Sequence, residues 1–185
     1  MEGDQVRNRP ARATAGWTLL ELLICLSLVG LILGWGLPSF GTVSRNAAQT
    51  SRVNLFIQAI YLARSEAIKR NGVVSLCPTF DGTSCQPAAD WQSGWLIFVN
   101  DDRDSPAARD PDEELLRVYE PWDGGHILSN RSTLSFRAYG QMGVTATVAF
   151  CDDRGAAAAK AVIISQTGRP RIATRSASGG PLPCL

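Results

Sequence analysis

The chain has 185 residues, with 18 basic and 17 acidic side chains and a formal net charge of +1. This balance argues against a protein that is basic over its whole surface, because neutralising phosphates requires a clear excess of Lys and Arg. Five Trp, six Phe and three Tyr argue against a disordered chain, because they supply enough apolar surface for a core. The length predicts one folded domain with appendages.

Residues that support catalysis are scarce. The chain has one histidine, His126, so neither a Ser/His/Asp triad nor a histidine-rich zinc site is expected, and His126 is interpreted as an ordinary surface or core residue. The five cysteines contain no Cys-x-x-Cys pair, which argues against zinc and thioredoxin-type sites. No paired carboxylates, activated nucleophile or phosphate-binding loop stands out. We therefore predict a protein that is not an enzyme and that needs no cofactor or metal.

The first element is an apolar segment, residues 17–37, that contains a single charged side chain, Glu21. As a helix this segment would be about 30 Å long, which matches the hydrocarbon thickness of a bilayer. We therefore predict a transmembrane and assembly helix over residues 17–38. Three arginines precede it, which predicts that the leader stays on the cytoplasmic side.

Glu21 is the unusual residue of this segment. A carboxylate near the bilayer centre costs about 2.5–3.5 kcal/mol on insertion, and less near an edge, and this segment offers it no partner. Cleavage after Gly16 would create an amine on Trp17, close to Glu21 of a neighbouring subunit. A conventional secretory signal is the alternative, but here the small residue precedes the apolar segment and no Ala-x-Ala pattern follows it.

The string Gly16-Trp17-Thr18-Leu19-Leu20-Glu21-Leu22-Leu23 resembles the class III signal of type IV pilins and type II secretion pseudopilins. The resemblance implies that residues 1–16 are a leader, that a prepilin peptidase cleaves after Gly16, and that the new amine of Trp17 is methylated. Trp17 departs from the Phe that this family usually has there. The implied partners are the peptidase, the inner membrane and other pilin or pseudopilin subunits, with Glu21 serving assembly.

A second helical pattern follows Pro38, which is expected to kink the helix without ending it. Apolar residues recur at spacings of three and four from Val53 to Ile68, and the pair Asn71-Gly72 predicts the helix end. Residues 39–71 are therefore predicted to form an amphipathic second half of the helix.

Short runs of β-branched and aromatic residues follow, with turn residues between them. They are residues 73–77, 95–99, 115–119, 133–137, 145–151 and 162–165. A long helix followed by antiparallel strands is an α+β pattern, in which the apolar stripe of the helix packs on one face of the sheet. We predict a β-sheet domain over residues 72–167 and a basic tail over residues 168–185. Trp91 and Trp95 are interpreted as core and strand anchors.

Three segments narrow the resemblance to the GspH/FimT class of minor pilins and pseudopilins. They are residues 61–71, 74–77 and 90–99. The resemblance implies the type IV pilin fold, with a single-pass helix in the inner membrane and a C-terminal domain in the periplasm. After assembly the subunit would lie in a pilus or pseudopilus, at its tip.

A domain exported to the periplasm meets an oxidising environment, so its four cysteines are candidates for two disulfides. Of the three possible pairings we favour Cys77 with Cys85 and Cys151 with Cys184, the second of which would join the tail to the last strands. Cys25 lies within the apolar segment and is interpreted as an apolar filler.

Residues 101–123 carry nine acidic and three basic side chains. Asn100, Asp102 and Asp104 partly match the first half of a calcium loop, in which oxygen ligands stand at alternate positions. However, Ser105 stands where that loop needs Gly, and no Glu stands at its twelfth position. We favour a solvated acidic loop over a calcium site at residues 100–114, and leave the second open.

The last part of the chain has the opposite charge, since residues 154–185 contain five basic and no acidic side chains. In the string Gly168-Arg169-Pro170-Arg171, two guanidinium groups lie on the same side of an extended chain. This string resembles the DNA-binding tail of FimT-like minor pilins, which serve natural transformation. The resemblance implies non-sequence-specific binding of double-stranded DNA. The residues implied are Arg169, Arg171, Arg175 and Lys160.

A second interpretation remains open. The chain could be a structural minor pseudopilin of the GspH or FimU kind, which primes or caps a type II secretion pseudopilus or a type IV pilus without binding DNA. Both interpretations share the leader, the assembly residue Glu21 and the fold, so only the basic tail separates them.

Overall fold

The computed structural model describes residues 16–86 and 90–184, except for the side chains of residues 35–39. The predicted leader therefore lies outside the described residues, apart from Gly16. The chain divides into two compact units, residues 1–43 and residues 44–185. Helix α1, Leu19–Arg70, contributes residues to both units and continues through Pro38.

In the first unit, Thr18 caps the start of α1. Its Oγ1 accepts a hydrogen bond from the backbone amide of Glu21 at 3.2 Å, and the sequence Thr-x-x-Glu is that of a capping box. The large apolar side chains between Trp17 and Leu33 are between 51% and 76% exposed. Within the described part of the chain, no helix combines the length and apolar character needed to cross a membrane.

In the second unit, the described residues form two antiparallel sheets of four strands each. The first has the order β3-β2-β1-β5 and the second the order β4-β6-β7-β8. The strands are β1 Val74–Pro78, β2 Trp95–Val99, β3 Leu115–Tyr119, β4 His126–Ser129, β5 Leu134–Phe136, β6 Ala146–Cys151, β7 Lys160–Ile164 and β8 Pro170–Ala173. The α+β fold class is confirmed, but the single sheet expected from the sequence is two sheets.

Two of these strands were not predicted from the sequence. β4 has four residues, follows a pair of glycines and begins with the exposed His126. β8 begins with Pro170, which cannot donate to a ladder, so a sequence pattern does not favour a strand there. Proline is tolerated because it stands at the first position of an edge strand. Residues 170–173 of the segment predicted as a separate tail thus form an edge strand of the second sheet.

The core lies between α1 and both sheets. Phe56 of α1 is fully buried. Its ring centroid lies 5.2 Å from that of Trp95 in the first sheet and 5.6 Å from that of Phe150 in the second. Trp91 and Trp95 are 3% and 0% exposed, which confirms their interpretation as core residues. One helix therefore covers two sheets, with Phe56 in contact with both.

Each sheet is also covered on its other face, and a disulfide holds each cover in place. In the first sheet Leu96 and Phe98 alternate with the core residues and form a second buried cluster, and in the second sheet Leu182 of the C-terminal segment packs on Ala149 and Ala161. Both predicted disulfides, Cys77–Cys85 and Cys151–Cys184, are present in these clusters. Sheets covered on both faces explain why β1 and β2 are buried at every position. Cys25 is free and exposed.

Candidate nucleic-acid interface

The predicted DNA-binding arginines lie at the edge of the second sheet. Within the described residues, β8 pairs only with β7, and Arg171 stands opposite Ile163. Arg169 is held just before the strand, because its backbone amide donates to Ser165 Oγ at 3.2 Å and its carbonyl accepts the Ser165 amide at 3.1 Å. The side chains of Arg169 and Arg171 are exposed, and neither makes a hydrogen bond or ion pair with a described residue.

The glycine of this string has a positional role. Gly168 is buried and has a φ of +71°, a left-handed backbone that favours glycine. A Cβ there would lie 2.2 Å from the carbonyl oxygen of Gly140 and 3.0 Å from Nε of Arg64. The turn before β8 therefore packs directly on the turn that contains Gly140, and this contact positions the arginines that follow.

The other two predicted binding residues behave differently. Lys160 is partly buried at the start of β7, and its Nζ donates to Thr50 Oγ1 of α1 at 2.5 Å. Arg175 is exposed beyond β8, with its Nη1 3.3 Å from the carbonyl oxygen of Gly179. The side chains of Arg169 and Arg171 thus remain exposed at the start of β8, whereas the ammonium group of Lys160 is held by the helix.

Some other arginines of this unit form ion pairs with carboxylates. Arg70 contacts Glu66 at 2.8 Å and Glu114 at 2.6 Å. Arg154 forms an ion pair with Asp152. The hydrogen bond from Arg154 lowers the pKa of the Asp152 carboxyl. These pairs leave Arg70 and Arg154 with little free charge, in contrast to Arg169 and Arg171.

The acidic loop, residues 100–114, uses its polar groups internally. Nδ2 of the buried Asn100 lies 3.0 Å from Oδ1 of Asp104. The buried carboxylate of Glu113 accepts the backbone amides of Asp101 at 2.7 Å and Asp110 at 3.0 Å. These bonds engage oxygens of Asp104 and Glu113, whereas the buried Oδ1 of Asn100 has no hydrogen-bond partner among the described residues. Among residues 16–86 and 90–184, no group of three or more His, Cys, Asp and Glu is arranged to hold a metal.

Sequence analysis did not predict a basic groove at the C-terminal end of α1. The groove has a volume of about 1060 Å³ and is lined by residues from four separate segments, 71–73, 103–106, 131–135 and 137–144. Its charged side chains are Arg103, Asp104, Arg131 and Arg137. No local pattern could have shown this groove, because the fold alone brings these arginines together.

Comparisons with known proteins place the chain in a family. Residues 52–168 match the family model described as Type II transport protein GspH. The chain is 30% identical over 167 residues to the pilin-like protein PilA1 of Thermus thermophilus, and the match covers 85% of this chain and 97% of that protein. The match to the model spans the three segments on which the narrower resemblance rests, residues 61–71, 74–77 and 90–99.

Two crystal structures of the type IV minor pilin FimU of Pseudomonas aeruginosa PAO1 have the same fold. One has a TM-score of 0.52 at 19% identity, over 73% of this chain and 98% of that one. The other has a TM-score of 0.53 at 22% identity, over 77% of this chain and 98% of that one. At these identities the likeness concerns the fold. Family and fold are those of structural pilins rather than enzymes. The chain therefore belongs to the GspH/FimT family of type IV pilin-like proteins, as a minor pilin or pseudopilin.

Proposed function

We propose that this minor pilin binds extracellular double-stranded DNA without sequence specificity, for natural transformation, through Arg169 and Arg171. The observation that carries the proposal is the presence of two exposed guanidinium groups, without ion pairs among the described residues, one just before an edge strand and one within it. Guanidinium groups match phosphate oxygens in shape and charge. Phosphate contacts position a protein on DNA but carry no sequence information.

The backbone that carries the two arginines is held before DNA arrives. Ser165 makes three hydrogen bonds with the backbone of Arg169, and the neighbouring Gly168 packs on Gly140. A binding group that is already fixed loses less conformational entropy on binding. Arg175, two residues beyond β8, adds a third exposed cation to the same end of the chain.

The charge of the chain predicts weak, salt-dependent binding. Removal of residues 1–16 takes three of the 18 basic and two of the 17 acidic side chains, so 15 of each remain. Attraction to DNA therefore depends on local contacts rather than on net charge. For two phosphate contacts, the affinity should fall about tenfold between 50 and 200 mM salt.

We also propose that Gly16 marks the cleavage site, that Trp17 becomes the methylated first residue, and that Glu21 serves assembly. The apolar side chains between Trp17 and Leu33 are exposed in the isolated chain, so they need lipid or neighbouring helices to cover them. This exposure supports the proposal that the helix lies in the inner membrane before assembly into a pilus, with a cytoplasmic leader and a periplasmic C-terminal unit.

A purely structural minor pseudopilin, which primes or caps a pseudopilus or pilus, is the second candidate. It is favoured by the neutral charge balance of the mature chain and by the engagement of Lys160 with Thr50. In this case the exposed apolar face of α1 would bind neighbouring subunits, and Arg169 and Arg171 would have no part in the function.

Binding of a labelled duplex by the full chain in non-ionic detergent separates the two candidates. Arg169→Ala together with Arg171→Ala should lower affinity at least tenfold at 50 mM salt and reduce the salt slope by about two. Arg117→Ala is the matched control, because Arg117 is also exposed on an edge strand, β3 of the first sheet. If the double variant binds the duplex as well as the parent, DNA binding through these arginines is refuted. The structural role would then be the remaining candidate.

A further inference from the structure

The basic groove at the end of α1 offers cations that are free to bind. The guanidinium groups of Arg103 and Arg137 make no hydrogen bond with a described residue. Arg131 uses Nε for the carbonyl oxygen of Thr145 at 3.2 Å, and its terminal nitrogens make no hydrogen bond within the described part of the chain. All three arginines are exposed. The groove therefore presents guanidinium donors to solvent from three separate arginines.

The negative charges at the groove are fewer. Asp104 carries one charge, and its two oxygens already accept hydrogen bonds from Asn100 and from the backbone amide of Ala108. The C-terminal end of α1 adds about half a negative charge. The amides of Asn71 and Gly72 cap this end, since they donate to carbonyl oxygens of its last turn. The three positive charges of the guanidinium groups exceed the negative charges of Asp104 and of the helix end. The groove therefore favours an anion as its ligand.

An aromatic ring stands beside these cations. Tyr139 lines the groove and is 86% exposed. Its turn is closed by a hydrogen bond from the Arg137 amide to the Gln141 carbonyl at 3.0 Å, and it is fastened to α1 because Arg64 Nε donates to the Gly140 carbonyl at 2.9 Å. The backbone under the ring is thus fixed while its face remains open to solvent.

We propose that this groove binds single-stranded nucleic acid, with a base stacked on Tyr139 and the adjoining phosphates on the arginines of the groove. An exposed aromatic ring beside cations is the combination that holds unpaired bases, whose flat faces stack irrespective of sequence. A volume of about 1060 Å³ is that of a small-ligand site, so it suits one or two nucleotides rather than a duplex. The exposed hydroxyl groups of Ser105 and Ser132 add donors for phosphate or sugar oxygens.

This groove shares no residue with the duplex-binding strand. The proposal can therefore be tested independently of Arg169 and Arg171. An acidic peptide is the competing occupant, because it would use the same arginines, but it would not depend on a stacking face at Tyr139.

The test is fluorescence anisotropy of a labelled oligothymidylate of about 12 nucleotides with the full chain in non-ionic detergent at 50 mM salt. Tyr139→Ala should weaken binding roughly 5- to 150-fold, since one stacked base is lost, whereas Tyr139→Phe should retain it. Arg137→Ala should weaken binding and reduce the salt slope by about 0.7. Because both side chains are exposed, the circular dichroism spectrum should be unchanged.

Comparison with the duplex-binding variant makes the two proposals distinguishable. Arg169→Ala with Arg171→Ala should bind the oligothymidylate within twofold of the parent, and Tyr139→Ala should bind the duplex within twofold. The groove proposal would be overturned if the parent does not bind the oligothymidylate, or if Tyr139→Ala binds it as well as the parent. Displacement by an oligoglutamate peptide that is equally effective on the parent and on Tyr139→Ala would also overturn it and favour a peptide site.

Discussion

Gly168→Ala tests whether the contact between the turn before β8 and the turn that contains Gly140 positions Arg169 and Arg171. Gly143 provides a matched control, because Gly168 and Gly143 have similar left-handed backbones, with φ of +71° and +76°. Alanine in this conformation costs about 1–2 kcal/mol at either position. The positions differ in space, since nothing lies within 4 Å of a Cβ at Gly143, whereas a Cβ at Gly168 would lie 2.2 Å from the Gly140 carbonyl oxygen.

At Gly168 only, the clash with the Gly140 carbonyl oxygen adds a second cost to the free energy of folding. Overpacking against a backbone that must move costs about 1–3 kcal/mol, so Gly168→Ala should lower the free energy of unfolding by about 2–5 kcal/mol in total. Gly143→Ala should lower it by about 1–2 kcal/mol. The assay is urea unfolding of residues 44–185 with both disulfides intact, followed by circular dichroism, with midpoints compared at equal slope.

Gly168→Ala should also weaken duplex binding, because Arg169 follows directly and would move with the displaced turn. Gly143→Ala should leave duplex binding within twofold of the parent. Equal losses of unfolding free energy in the two variants would refute the contact between the turns as the reason for glycine at position 168.

Three further variants examine assembly, the core and the ion pairs. Glu21→Ala should be processed normally but enter pili or pseudopili poorly, as seen by immunoblotting of sheared filaments, and normal incorporation would contradict its assembly role. Phe56→Ala should lower the unfolding free energy by about 3–5 kcal/mol, while Phe80→Ala, at a position 68% exposed, should change it by less than about 0.5 kcal/mol; similar losses would contradict the shared core. Because Arg154 lowers the folded-state pKa of Asp152, this carboxylate stabilises the fold above its unfolded pKa of about 3.9 and ceases to do so as the pH falls through the folded value. Asp152→Asn should therefore flatten the fall in unfolding free energy below about pH 5, and an unchanged slope would argue against this pair.

The parts of the fold that could be predicted are those with a strong local pattern. The helix ends at Arg70, and the pair Asn71-Gly72 already predicts this end, because glycine and asparagine adopt the conformations that close a helix. β2, residues 95–99, is a continuous apolar run and was predicted at its observed bounds. The number of sheets could not be predicted, because it depends on which strands pair across long stretches of sequence.

The candidate sites likewise contain some residues that a local pattern predicts and others that only packing brings together. Arg169 and Arg171 stand two residues apart, so the alternation of an extended chain predicts that their side chains share a side. The engagement of Lys160 could not be predicted, since its partner Thr50 lies on α1, 110 residues away. The basic groove likewise depends on turns that are brought together only by packing on the end of the helix.

The Cys151–Cys184 disulfide has a mechanical consequence for a subunit that carries a load. Tension applied at Arg171 would be shared by two covalent paths, one through β7 to Cys151 and one through the C-terminal segment to the same cysteine. If β8 were pulled from the sheet, the segment 171–184 would become taut after roughly 45 Å. The bond would then transfer the force to β6, so the load would be borne by the centre of the second sheet rather than by its edge.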